Sequence, residues 1–153
     1  MVELSGVSFG YQSDKNVLDN LNLRMEEGRF YGLLGMNGSG KTTLLKLIAG
    51  KLFAHGGEIY VDGRNLRERD VETLQKVFML PADFIFPNMS LEQFLAIYSE
   101  FYPEFRKEVL NDCLVNFEIQ RDIKNLNQLS LGEKHKVAFS IALSLGTKIV
   151  LLE

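Results

Sequence analysis

The chain carries a single cysteine, Cys113, among 153 residues, so no disulfide can form within it and the expected compartment is a reducing cytoplasm. Cys113 shares an apolar helical face with Val109, Leu110 and Phe117, which predicts a packed thiol rather than a reactive one. No apolar run approaches the roughly 18 residues that a membrane helix needs, and the N-terminus has no secretory-leader pattern. An excess of one charge is missing too. Seventeen Lys and Arg against 20 Asp and Glu leave a net charge of −3, which draws the chain neither to nucleic acid nor to an anionic membrane. There is no internal repeat and no low-complexity tract. The length suits one domain with a sizeable core.

What is present is concentrated in Gly35-Met36-Asn37-Gly38-Ser39-Gly40-Lys41-Thr42. This fits G-x-x-x-x-G-K-[ST], a glycine-rich turn whose backbone N–H groups cradle phosphates while the lysine reaches the outer oxygens. The flanks agree with it. Upstream, Arg29-Phe30-Tyr31-Gly32-Leu33-Leu34 is a nearly continuous apolar run, as expected of a strand buried on both faces. Downstream, Leu44, Leu45, Leu47 and Ile48 form a helical stripe closed by Gly50. Gly35, Gly38 and Gly40 can take positive φ and leave no Cβ between backbone and phosphate. The helix starting near Lys41 adds unpaired N–H groups and roughly half a positive charge. Lys41 adds a full charge, Thr42 offers a hydroxyl to Mg²⁺, and Thr43 is expected to donate to a phosphate nearer the sugar. Nucleotide binding follows.

Before this loop, residues 2–11 alternate with Val2, Leu4, Val7, Phe9 and Tyr11 on one side, and Leu21, Leu23 and Met25 alternate with Asn20, Asn22 and Arg24. Both predict half-buried strands, paired antiparallel, with turns at Gln12–Asn16 and Glu26–Gly28. Ile59-Tyr60-Val61 ends at Asp62-Gly63, a hairpin signal. Residues 64–75 predict a solvated turn and short helix, and Val77–Leu80, stopped by Pro81, a buried strand. From residue 90 the period becomes helical. Ser90 and Gln93 make a capping box ahead of the stripe Leu91, Phe94, Leu95, Tyr98, Phe101 and Tyr102. After Pro103 a second stripe runs through Phe105, Val109, Leu110, Cys113, Leu114 and Phe117, so a helical lobe beside the sheet is expected, its aromatics serving as core.

A second diagnostic stretch is Leu129-Ser130-Leu131-Gly132-Glu133-Lys134, which opens a helix with Val137, Ala138, Ile141, Ala142 and Leu145 on its apolar face and Gly146 at its end. Ser130 and Glu133 read as a capping box. Lys134, His135 and Lys136 in the first turns oppose the helix dipole at some tenths of a kcal/mol each; an anion opposite this end would offset that. Then comes the apolar strand Ile149-Val150-Leu151-Leu152, ending in Glu153.

This order resembles the nucleotide-binding domain of ATP-binding cassette (ABC) proteins: an N-terminal aromatic, the phosphate loop, a glutamine loop, a helical lobe, an LSGGQ signature, then an apolar strand ending Asp-Glu. The resemblance runs over the whole chain. It implies an α/β P-loop NTPase fold with a parallel core sheet, an N-terminal antiparallel β subdomain and an inserted helical subdomain. Residues 1–81 would hold the core and antiparallel part, 82–128 the helical lobe, and 129–153 the signature helix and the last strand. It implies ATP and Mg²⁺ as ligands, with Asn37, Gly38, Ser39, Gly40, Lys41, Thr42 and Thr43 around the phosphates. Tyr11 would stack on adenine with Val17 beside the ribose; the alternative is that Tyr11 is an ordinary strand aromatic in line with Phe9. Ser130 and Gly132 would contact the γ-phosphate held by a second copy, because the family closes two domains head to tail around two ATP molecules. Glu153 falls on the metal-associated acid, and with Thr42 would accompany Mg²⁺.

Three positions depart from the family pattern. The glutamine-loop position is Ala82, which cannot hydrogen-bond to Mg²⁺ or water, with Asp83 beside it. The signature reads Leu-Ser-Leu-Gly-Glu. Glu153 stands where an aspartate is usual, and a carboxylate one methylene longer can still join the metal's shell through water. The glutamate expected to follow Glu153, and a later histidine, are not in the sequence, and neither His55 nor His135 lies late enough to be that histidine. The chain therefore reads as the N-terminal two-thirds of an ABC ATPase, binding ATP better than it hydrolyses it. The resemblance implies an ATP-driving subunit at the inner face of the cell membrane, docked on a separate integral-membrane permease, with no nucleic-acid partner. Phe101-Tyr102-Pro103-Glu104-Phe105 and the residue after Pro81 look like ATPases of the ABC-2 exporter group. Two alternatives stand beside it: a soluble ABC ATPase acting on ribosomes or DNA, and a catalytically weak ATP sensor.

Overall fold

In a computed structural model describing residues 1–12 and 15–153, the chain divides into two compact units, Met1–Met79 with Glu153, and Leu80–Leu152. The first is built on a four-stranded antiparallel sheet. Strand β1 (Val2–Phe9) lies between β2 (Leu18–Met25) and β3 (Gly56–Val61), and β4 (Arg64–Asn65) hairpins onto β3. The alternation of residues 2–9 sends Val2, Leu4, Val7 and Phe9 inward, each at most 6% exposed. The antiparallel pairing of β1 with β2 sets Leu4 opposite Leu23 and Val7 opposite Leu21. Asp62 and Gly63, both at positive φ (50° and 77°), form the tight turn that their Asp-Gly sequence specifies.

Helix α1 (Lys41–Ile48) packs Leu44, Leu45, Leu47 and Ile48 into this unit's core. A single 3₁₀ turn (Leu66–Glu68) and a four-residue helix α2 (Val71–Leu74) follow, capped by Asn65 and by Asp70. Strand β5 (Val77–Leu80) comes next. Within residues 64–75 the short β4 was not anticipated: it is held by the hairpin, not by its own polar composition.

One expectation fails. Residues 29–34 form no strand, and Phe30 and Leu34 are fully exposed (106% and 98%). A strand buried on both faces needs a partner on each side, and no strand pairs with this segment among the described residues. The expected turn at Gln12–Asn16 is described in part: Gln12 bridges Lys15, while Ser13 and Asp14 lie outside the described residues.

The second unit is helical apart from strand β6 (Ile149–Leu152). Helix α3 (Leu91–Phe101) has the reciprocal Ser90–Gln93 capping box that its sequence announces. Its aromatics continue a run of edge-on and stacked rings, Phe84–Phe86–Phe94–Tyr98–Tyr102, with centroids 4.2 to 6.3 Å apart. Phe86 and Phe94 are core, whereas Phe101, at the margin of the stripe in the last turn, is 62% exposed. Helix α4 (Lys107–Asn116) buries Leu110 and Leu114 and leaves Cys113 half-buried. Helix α5 (Leu131–Ser144) buries Val137, Ala138, Ile141 and Ala142, with Leu145 just beyond its end.

Candidate functional site

The phosphate loop lies between the exposed segment 29–34 and the N-terminus of α1. Gly40 is the residue before the helix, at φ 92°, a conformation that side chains disfavour. A Cβ there would also stand 3.0 Å from Leu18 Cδ2 and 3.1 Å from Val17 Cγ1. Gly35 is restricted differently: a Cβ on it would come within 2.6 Å of the Ser39 hydroxyl. The loop is closed on itself by the Ser39 N–H donating to the Met36 carbonyl (3.2 Å). Helix α1 has no side-chain N-cap and no acid in its first turn. Its first N–H groups and the positive end of its dipole therefore meet no fixed carboxylate of its own.

The Lys41 ammonium donates to the carbonyls of Gly35 and Met36, both at 2.8 Å. The lysine thus arches over the loop, and its charge is held at the loop's mouth. Thr42 donates its hydroxyl to the Glu153 carboxylate, 111 residues away in sequence. Glu153 belongs to the same compact unit as the loop. Thr43 is 4% exposed, and its hydroxyl lies 3.1 Å from that of Tyr11. The Tyr11 ring, 62% exposed, stands edge-on to Phe9 with centroids 5.1 Å apart. Val17, half-buried, is tied to β1 by its N–H donating to the Phe9 carbonyl (2.7 Å).

Tyr11, Val17, the residues Asn37 to Thr43, and Glu153 thus all belong to the first unit. Asn37 and Ser39 are exposed. The loop's lack of a covering Cβ, its charged lysine and the adjoining Thr42–Glu153 pair suit a magnesium-bound polyphosphate. Among the described residues no three His, Cys, Asp or Glu side chains converge to hold a metal by themselves. A cation bound through one hydroxyl, one carboxylate and the ligand's own phosphates is a pattern typical of Mg²⁺.

Ser130 and Gly132 belong to the second unit. Ser130 caps α5, and the capping box expected there is present. Its hydroxyl donates to Glu133 Oε2 at 2.6 Å, and its backbone N–H donates to the same oxygen at 2.9 Å. These bonds hold the Glu133 carboxyl below its ordinary range, the Ser130 hydroxyl first among the causes. Gly132 and Leu131 are exposed. Of the cations in the first turns, Lys136 reaches the carbonyl of Phe117 (3.0 Å) at the C-terminal end of α4, where a positive charge is favoured. His135 stands edge-on to Phe84. Ala82 and Asp83 are exposed. His55 is an exposed residue beside Phe9, as its place next to two glycines predicts.

Several contacts had no signal in the spacing of the sequence. Glu133 fits a capping box, but nothing in the spacing says that its carboxylate also takes the Ser130 hydroxyl proton. The Tyr11–Thr43 contact spans 32 residues, beyond what periodicity can report.

A glycine-rich loop running into a helix N-terminus, with a lysine and a threonine at that start, is the construction of a nucleotide-binding P-loop. Comparison with known proteins gives the narrower class. A family model described as ABC transporter matches residues 18–153, and the chain belongs to that family, whose ATPase domains bind ATP. An ABC transporter ATP-binding protein from Pyrococcus furiosus is 32% identical, superposes with a TM-score of 0.82, and is matched over 99% of this chain and 74% of its own. A dimeric ATP-binding cassette in a post-hydrolysis state bound to ADP and Pi is 27% identical, at TM-score 0.81, over 99% of this chain and 73% of its own. A cobalt transport ATP-binding protein is likewise 27% identical, at TM-score 0.78, over 99% and 58%. The α/β P-loop NTPase fold is that of these structures.

Proposed function

We propose that the chain is the ATP-binding part of an ABC transporter ATPase that drives transport through a separate integral-membrane permease. The observation that carries this is the loop itself: Lys41 fixed at its mouth by Gly35 and Met36, with Thr42 and Glu153 paired at its edge. In this proposal the backbone from Asn37 to Lys41, with Thr43, binds the phosphates. Tyr11 stacks on the adenine and Val17 borders the ribose. Thr42 and Glu153 accompany Mg²⁺, which when bound neutralises charge on the phosphates. Lys41 adds a fixed positive charge at the outer phosphates, where charge shifts during transfer.

Ser130 and Gly132 act in trans, on the phosphate held by a second copy. The proposal therefore requires a head-to-tail pair, and the dimeric ADP- and Pi-bound relative supports pairing of two such domains. The permease would sit in the membrane and this subunit at its inner face. No helix among the described residues is long and apolar enough to cross a membrane. The ABC-2 exporter group remains the proposed subgroup, on Phe101–Phe105 and Ala82.

Ala82 favours a companion proposal, that turnover is slow relative to binding. A methyl group at an exposed position after Pro81 offers no hydrogen bond to water or Mg²⁺. Together with Glu153 in place of the usual aspartate, it weakens the positioning on which phosphoryl transfer depends. ATP affinity and single-turnover hydrolysis of the chain test both parts. Tight binding with slow turnover is expected; failure to bind ATP refutes the whole, and fast turnover refutes the companion. Co-purification of the full-length protein with an integral membrane protein tests the permease.

A further inference from the structure

We propose that Tyr11 is a positioning residue for the phosphate subsite, acting through the Thr43 hydroxyl in addition to its aromatic role at the base. The inference rests on the proposed assignment of this loop to a nucleotide.

The two hydroxyl oxygens are 3.1 Å apart, and either can donate while the anion is absent. A threonine within a helix ordinarily bonds back to the carbonyl one turn earlier. Thr43 instead meets a side chain from another element. It has one proton and two lone pairs, and Tyr11 has one proton. A phosphate oxygen can only accept. Once it binds at Thr43, the Thr43 proton must point to it, and Tyr11 must then be the donor to Thr43. The result is a one-directional chain, Tyr11 O–H to Thr43 O–H to phosphate, in which each bond polarises the next.

The surroundings fix both ends. Thr43 is buried at 4% exposure in the first turn of α1, and the Tyr11 ring is held edge-on by Phe9. With the hydroxyl of Tyr11 on Thr43 and the residue 62% exposed, one side chain would couple recognition of the base to recognition of a phosphate. A phenylalanine would stack as well but leave Thr43 free to rotate its proton away from the anion.

A double-mutant cycle on ATP affinity, read by titration calorimetry on the 153-residue chain at fixed Mg²⁺, tests this. Tyr11→Phe is expected to weaken ATP about three- to tenfold, the worth of a typical hydrogen bond, while Tyr11→Ala weakens it further through lost stacking. In a Thr43→Val background, Tyr11→Phe is expected to change nothing. Equal losses from Tyr11→Phe in both backgrounds, or no loss in the parent while Thr43→Val weakens binding, would overturn the coupling and leave the loop assignment standing. No loss from Thr43→Val or from Lys41→Ala would instead overturn the assignment on which the coupling rests.

Discussion

Replacing Gly40 by alanine tests whether the loop's backbone, rather than its side chains alone, makes the anion cradle. The residue sits at φ 92°, so alanine there carries backbone strain of about 1–2 kcal/mol. The new methyl would also lie 3.0 Å from Leu18 Cδ2 and 3.1 Å from Val17 Cγ1. Both neighbours are side-chain carbons that can yield by a few tenths of an ångström, so the crowding adds about 1 kcal/mol, the low end for an overpacked contact. A total of about 2–3 kcal/mol lowers the melting midpoint by roughly 4–12 °C for a chain of this size. Relief of that strain requires the loop to shift φ, which turns the N–H groups of Gly40 and Lys41 out of line. ATP affinity therefore falls further than the strain alone implies, by tenfold or more. Thermal melts and calorimetric titration of Gly40→Ala check this. A variant that melts within a degree of the parent and binds ATP equally well would refute the reasoning.

Three other outcomes are expected. Ser130→Ala removes the hydroxyl that caps α5, so stability falls by about 1 kcal/mol in urea denaturation, and Glu133 loses the leading cause of its lowered pKa. Because that pKa is depressed, the carboxyl's contribution is present above its unfolded value and lost as pH falls through the lowered one. The parent should thus lose more stability on acidification than Ser130→Ala does; identical acid profiles would contradict the bond. Glu153→Gln removes the charge beside Thr42 and is expected to reduce the gain in ATP affinity that Mg²⁺ gives, with Mg²⁺-free affinity unchanged or improved. Leu47→Ala, at a side chain with 0% exposure, should destabilise by about 2–5 kcal/mol without altering the Mg²⁺ dependence of binding.

Where the sequence was informative, a local rule and the wider fold agreed. Ser90 with Gln93 and Ser130 with Glu133 specify helix starts in four residues each, and both capping boxes form. Asp62-Gly63 specifies a turn in two residues, and it too forms. The phosphate loop was legible because its chemistry is local: glycines, a lysine and a helix start in eight consecutive positions. The segment 29–34 shows the opposite case. Apolar composition reports that residues would gain from burial, whereas forming a strand depends on partners that the segment itself cannot specify. Lys136 has a partner that its own position does not name: the carbonyl of Phe117, from another helix, accepts from its ammonium. Likewise neither Tyr11 with Thr43 nor Thr42 with Glu153 is visible from spacing, since each contact depends on how separate elements pack.

The proposed function requires the Lys41 ammonium, held over the loop by Gly35 and Met36, to be a phosphate ligand. The most direct measurement is the melting midpoint of the parent and of Lys41→Ala with and without Mg²⁺-ATP at about 100 times the parent's dissociation constant. Saturation at that level stabilises a one-site binder by about 2.7 kcal/mol, a rise of roughly 5–11 °C here. The account predicts that rise for the parent and little or none for Lys41→Ala. An equal rise in both would contradict it.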